Sequence, residues 1–263
     1  MPDTIWFERL PVWAIFGGTL LLILASIAAG RRWGASHRES ATAEQDSPVG
    51  AMVTASLGLL AFILAFTFGM AGTRFEARRH VVVDEANAIG TCFLRAEMLP
   101  PPHDETVRKL LREYVDLRIA GPTMTAQSLK AAIETSSRIH DLLWNEAVAA
   151  ARENPTALPT SLFIQSLNDV IDLHARRLAV SLRFRIPRII WVALYVLAVL
   201  SMSLLGYHAG MRDIRRFFPF AFLAVAFSAV IGLIADIERP QQGLVRVSQE
   251  ALIDARAGMH ARK

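Results

Sequence analysis

The chain has 263 residues, of which 53% are apolar and 20% charged, and it carries a formal net charge of +4. Its apolar residues gather in four blocks with no mixing of polar positions at a period of 3.6 or 2, which excludes an ordinary water-soluble domain and points to a bilayer. The positive balance does not indicate nucleic acid, because the arginines crowd the ends of the apolar blocks and no stripe of basic and aromatic residues is present.

Crossing roughly 30 Å of hydrocarbon takes about 20 apolar residues in a helix, the element that satisfies its own backbone in lipid. The first such stretch runs from Leu10 to Gly30. Asp3 and Glu8 precede its lone Arg9, and it is longer than the apolar region of a secretory signal, so it is expected to be a retained span. The segment 31–49 is rich in Ser, Ala, Glu and Gly and is expected to be a flexible loop. The second span covers Gly50 to Gly72, with no breaker after it until Pro100-Pro101-Pro102, so one helix is expected to continue through Arg74, Arg78 and Asp84.

Residues 73–188 read as a packed helical soluble domain interrupted at the triple proline, at Pro122 and over Pro155 to Pro159. Val107, Leu110, Leu111 and Tyr114 share one helical face, as do Phe163, Leu167, Val170, Ile171, His174 and Leu178. Pro187 is expected to kink the chain or to end a helix before the third span, Ile189 to Tyr207. A tight turn over 208–216 leads to the fourth span, Phe217 to Ala235, and residues 236–263 form a tail expected to dock on the soluble domain. Trp6, Trp13, Trp191, Tyr207, Phe217 and Phe218 are expected to be interfacial anchors. The expected architecture is an all-α integral membrane protein with segments 1–72, 73–188, 189–235 and 236–263.

Arginines near the span ends favour a cytoplasmic soluble domain by a modest margin, with Arg9, Arg74, Arg78, Arg79, Arg183, Arg185, Arg188 and Arg239 on the inside and Arg31, Arg32, Arg38, Arg212, Arg215 and Arg216 on the outside. Arg212, Arg215 and Arg216 in the short loop oppose that orientation.

Two opposed stripes run along the second span at 100° per residue. Ala51, Ala55, Gly58, Ala61, Ala65, Gly69 and Gly72 form a small-residue face that allows another helix to approach closely. Opposite them lie Ser56, Leu60, Ile63, Thr67 and Met70, continuing into Arg74, Arg78, Val81 and Glu85. In a symmetric oligomer this second stripe could line an axial pore, with Leu60, Ile63 and Met70 as a dewetting constriction and the arginines concentrating anions at the mouth. Hydroxyls bonded to their own helix and arginines anchored at the headgroups are the plainer account of the same residues.

Elsewhere the chemistry is sparse. Asp84 and Glu85 point about 100° apart and form no shared site, and Asp84 is expected to pair with His80 four residues earlier. His174 is expected to be a core histidine, and Cys92, the single cysteine, a small buried hydrophobe that excludes a disulfide or thiolate cluster within one chain. Asp236 and Glu238 offer at most four oxygens, fewer than a calcium site needs, and are expected to end a helix together with Pro240. No phosphate loop, zinc helix motif or nucleophile elbow is present, so no enzyme activity, metal or cofactor is expected.

Four blocks carry a family resemblance: Leu59–Phe68 (LLAFILAFTF), Arg78–Thr91 (RRHVVVDEANAIGT), Leu111–Asp116 (LREYVD) and Asp236–Gln249 (DIERPQQGLVRVSQ). Together they resemble the bestrophin-like domain family of bacterial membrane proteins. The resemblance implies a pentameric anion channel of the inner membrane, with cytoplasmic termini and a pore lined by the second span. Its partners would then be the lipid bilayer, further copies of the chain and inorganic ions such as chloride. Only Asp236 and Glu238 stand where eukaryotic bestrophins carry an acidic run after the fourth span, and Phe62 and Phe66 project off the stripe assigned to the pore. The competing reading is a non-conducting, membrane-anchored scaffold or sensor whose helical domain binds a partner.

Overall fold

The computed structural model describes residues 10–37, 43–121, 124, 126–183, 185–214, 218–239 and 243–261. Within them the chain is all helical: α1 (Val12–Ser36), α2 (Ala43–Ala96), α3 (His103–Ala120), α4 (Ala126–Glu153), α5 (Leu158–Leu178), a π-helical turn (Ala179–Arg183), α6 (Arg188–Met211), α7 (Phe218–Glu238) and α8 (Glu250–Ala261). Four of these helices are long and apolar enough to cross a membrane: α1, the segment Pro48–Ala96 of α2, α6 and α7. The chain divides into two compact units, Met1–Thr73 with Arg185–Val245 and Arg74–Phe184 with Arg246–Lys263.

In the first unit, α1 packs on α6 and on α7. Lipid tails are as apolar as leucine, so helices in a bilayer associate through close packing and buried polar contacts. The α1–α6 seam uses both. Gly30 and Gly34 lie against the backbone of Ser203 and Tyr207, while Gly206 and Gly210 lie against that of Ile27 and Arg31. A Cβ at any of the four would run into a carbonyl oxygen of the facing helix. The spacing is small-xxx-small on both partners, the same signal that the second span carries in the sequence. Along the same seam the hydroxyls of Thr19 and Tyr195 meet at 2.9 Å.

The boundaries move outwards from the expected ones. Helix α1 continues to Ser36 and α2 begins at Ala43, so most of the expected loop is helical; residues 38–42 lie outside the described set. Helix α6 likewise runs to Met211, into the expected turn, and α7 runs to Glu238, so the two carboxylates belong to its last turn. Pro187 precedes α6 at its N-cap and is a boundary, not a kink. Trp191 is a correction among the aromatic anchors: at 4% exposure it packs inside the protein, whereas Trp13 and Phe218 are exposed. Trp6 and Phe217 lie outside the described residues.

The second unit is a water-type core. Ile89 and Phe93 of α2, Val107 and Leu111 of α3, Leu143 of α4, Phe163, Leu167 and Val170 of α5, and Leu252 of α8 are all buried in one cluster. Each such side chain contributes about 1.5–3 kcal/mol by leaving water. Both predicted apolar faces point into this cluster, and Leu252 places the C-terminal helix on it. Helix α2 ends before the triple proline, and Pro159 sits in the first turn of α5, where its missing N–H costs nothing.

Candidate functional site

The two stripes of α2 have opposite fates. Leu60 and Thr67 are 0% exposed, Arg78 is buried, and Ser56, Ile63, Met70 and Arg74 are half-buried. Thr67 donates to the Ile63 carbonyl at 2.7 Å and Ser56 to the Val53 carbonyl at 3.0 Å, so neither hydroxyl needs water. The Ser201 hydroxyl of α6 donates to the Ser56 carbonyl at 3.1 Å, which marks this side as an internal helix contact. Leu60 and Thr67, expected at a pore, are therefore already covered within the protomer. The reason is that Leu60, Leu64 and Ala71 make a close-packing ridge whose few polar atoms are satisfied by the helix itself.

The small-residue stripe is the uncovered one. Ala51, Ala55, Gly58, Ala61, Ala65 and Gly69 are exposed and Gly72 is half-buried. Cβ atoms added at Gly58, Gly69 or Gly72 would meet nothing, so these positions admit no close helix contact in the protomer. Phe62 (65% exposed) and Phe66 (57%) rise from this face, with Met52 and Leu59 also exposed.

In the second unit the residues of α2 build a buried ionic centre. Glu85 is 0% exposed, and its carboxylate accepts from Arg118 Nε of α3 at 2.8 Å, from Arg177 Nη1 of α5 at 2.5 Å and from the Tyr114 hydroxyl at 3.0 Å. Arg177 also donates to Gln249 Oε1 at 2.9 Å. Since the Tyr114 hydroxyl donates to Glu85, His174 Nδ1, 3.2 Å away, carries its hydrogen and donates to the phenol oxygen. The ring of His140 packs against both, 4.9 Å from Tyr114 and 4.8 Å edge-on to His174. Burial, and then the nearby Arg118 charge, pushes both imidazoles down to about 4, so they are neutral at physiological pH. Burial and the Glu85 carboxylate push the Tyr114 phenol up.

This centre corrects the sequence reading of Asp84 and Glu85. Asp84 is the surface residue, 3.9 Å from Arg176, and His80 pairs backwards with Glu76 at 4.0 Å. Glu85, one position on, turns 100° into the core. His174 is the core histidine it was expected to be, and Cys92 is buried. At the end of α7 both carboxylates are engaged by backbone N–H groups. Asp236 accepts from Leu244 at 2.9 Å and from Val245 at 2.9 Å, and Glu238 accepts from Ile186 at 2.7 Å.

The family model of the Bestrophin-like domain matches residues 17–252. The chain belongs to that family. Its fold is shared with solved structures of a bacterial bestrophin homologue from Klebsiella pneumoniae. One of these, phased on zinc, has a TM-score of 0.66 at 16% identity and covers 95% of this chain and 98% of that one. A mutant of the same homologue gives a TM-score of 0.66 at 17% identity, covering 93% and 97%. No curated protein matches the chain.

In this bestrophin-like chain three of the four sequence blocks that carry the resemblance hold buried polar contacts. Arg78–Thr91 contains Glu85, Leu111–Asp116 contains Tyr114, and Asp236–Gln249 contains both the Asp236 cap and the Gln249 partner of Arg177. Sequence reasoning missed Arg118 and Arg177 as partners because no spacing rule joins residues on α2, α3 and α5.

Proposed function

We propose that the protein is an oligomeric ion channel, anion-conducting, whose axis is faced by the uncovered stripe of α2. The burial of Leu60 and Thr67 supports the side of Ala55, Leu59, Phe62, Phe66 and Gly69 over the Ser56–Thr67 side. Several copies, five by analogy with bestrophins, would bring Phe62 and Phe66 together as apolar rings that gate by dewetting. Aromatic ring edges carry partial positive charge, so phenyl groups turned edge-on would favour anions over cations. The family supports a bacterial inner-membrane location, and the arginine balance a cytoplasmic helical unit.

The observation that carries this reading is a membrane-length helix with an apolar aromatic stripe left uncovered by its own protomer. Purified protein in planar bilayers should carry a current whose reversal potential follows the chloride gradient, and Phe62→Ala should enlarge it. Silence from both proteins overturns the reading. The scaffold alternative is then favoured, because Leu60, Thr67 and Arg78 of the opposite stripe are already buried within the protomer.

A further inference from the structure

At the N-terminal end of α3 one imidazole bridges to two carboxylates of α4. His103, the first residue of α3, is buried, and both of its ring nitrogens face carboxylates: Nδ1 lies 2.6 Å from Glu146 Oε2 and Nε2 lies 3.2 Å from Glu153 Oε1. Glu146 and Glu153 are seven residues apart, two turns along the same face of α4. A neutral imidazole carries one proton and would turn a lone pair towards one carboxylate, whereas the doubly protonated ring donates to both.

The groups bearing on that ring are these two α4 carboxylates; the nearby Asp104 carboxylate of α3 is 3.6 Å from Arg108 on its own helix. The Glu146 hydrogen bond holds the imidazole above its ordinary range, burial opposes this, and Glu153 adds to it.

Beside this fastening lies a pocket of about 430 Å³. Met98, Leu99, Pro100, Ala150 and Pro159 are among its apolar walls, and Glu153 and Asn154 stand on its polar side. His103 touches the pocket wall through its backbone as well, its N–H donating to the Pro100 carbonyl at 3.0 Å. We propose that His103 is a proton-operated latch that holds the pocket's two walls, the 98–100 segment and the end of α4, together while it is charged.

On losing a proton the ring keeps its hydrogen on Nδ1, where the shorter contact to Glu146 lies, and the proton from Nε2 passes to water. The lone pair on Nε2 then faces the Glu153 carboxylate. Glu153, half of whose side chain is already in solvent, swings away, and the seam between α3 and the end of α4 loosens. Because the folded imidazole is held above its unfolded value, the latch is complete below about pH 6.5, the ordinary imidazole value, and is lost as pH rises through the raised value.

Hydrogen exchange of the full chain in lipid nanodiscs, corrected for intrinsic rates, tests this between pH 6 and pH 9. The wild type should lose protection in peptides covering 98–104 and 150–160 as pH rises, by about tenfold for each unit by which the imidazole is raised, while 107–120 stays protected. Glu153→Gln, a change at an exposed carboxylate, should shrink the step, and His103→Gln should abolish it. A wild type whose protection is independent of pH overturns the latch, and so does a His103→Gln variant with the full step.

Discussion

Replacing Glu85 with glutamine removes one negative charge from the centre of the helical unit and leaves the Arg118 and Arg177 guanidinium groups facing each other in the core. Taking one partner from a buried ion pair costs about 3–5 kcal/mol, because the remaining charge is stranded away from water. Each kcal/mol lowers the melting temperature of a chain this size by about 2–4 °C, so Glu85→Gln should melt well over 5 °C below the wild type in the same detergent. The neighbouring Asp84→Asn removes only the exposed pair with Arg176, worth less than about 1 kcal/mol. Thermal unfolding of the three proteins, followed by circular dichroism, reads both effects. Equal shifts for the two variants would refute the assignment of Glu85 as a buried hub.

Three further outcomes follow from the same geometry. Gly206→Ala should sharply reduce the yield of monodisperse protein, since its Cβ meets the Ile27 carbonyl, whereas Gly58→Ala should purify like the wild type; size-exclusion profiles compare them. His140 and His174 are both held near 4, below the ordinary imidazole value. The unfolded chain therefore takes up protons first as pH falls, and stability drops from about pH 6.5 down to 4. Melting curves across that range should show His140→Phe losing less stability than the wild type. Gly243 has φ of 151° and lies against the Asp236 carboxylate, so Gly243→Ala should strain the backbone and disturb the cap on Leu244 and Val245. Limited proteolysis after residue 239 should be faster in that variant.

The membrane helices were legible because length and apolarity are properties of one segment, and lipid allows few other structures for it. The faces of α3 and α5 were legible for a related reason: Val107, Leu111, Phe163 and Leu167 repeat at the helical period against a water-exposed background. Within the bilayer that contrast disappears. Both sides of α2 are apolar, so the period locates two stripes without saying which is covered, and hydroxyls such as Thr67 prove uninformative once they bond the preceding turn. Small residues were read as a packing face on α2, yet the close packing occurs at Gly30, Gly34, Gly206 and Gly210, where both partners carry the same spacing. The Glu85 centre was out of reach of any local rule, because its partners stand 29, 33 and 92 residues away along the chain.

Which side of α2 meets the ion path is read most directly by single cysteines, introduced at position 62 or at position 60 and challenged with a charged, membrane-impermeant thiol reagent during bilayer recording. The native Cys92 is buried and gives the background. Phe62→Cys should lose or change its current when the reagent is added, and Leu60→Cys should be unaffected. A response at Leu60→Cys with none at Phe62→Cys would return the pore to the opposite stripe and contradict the account.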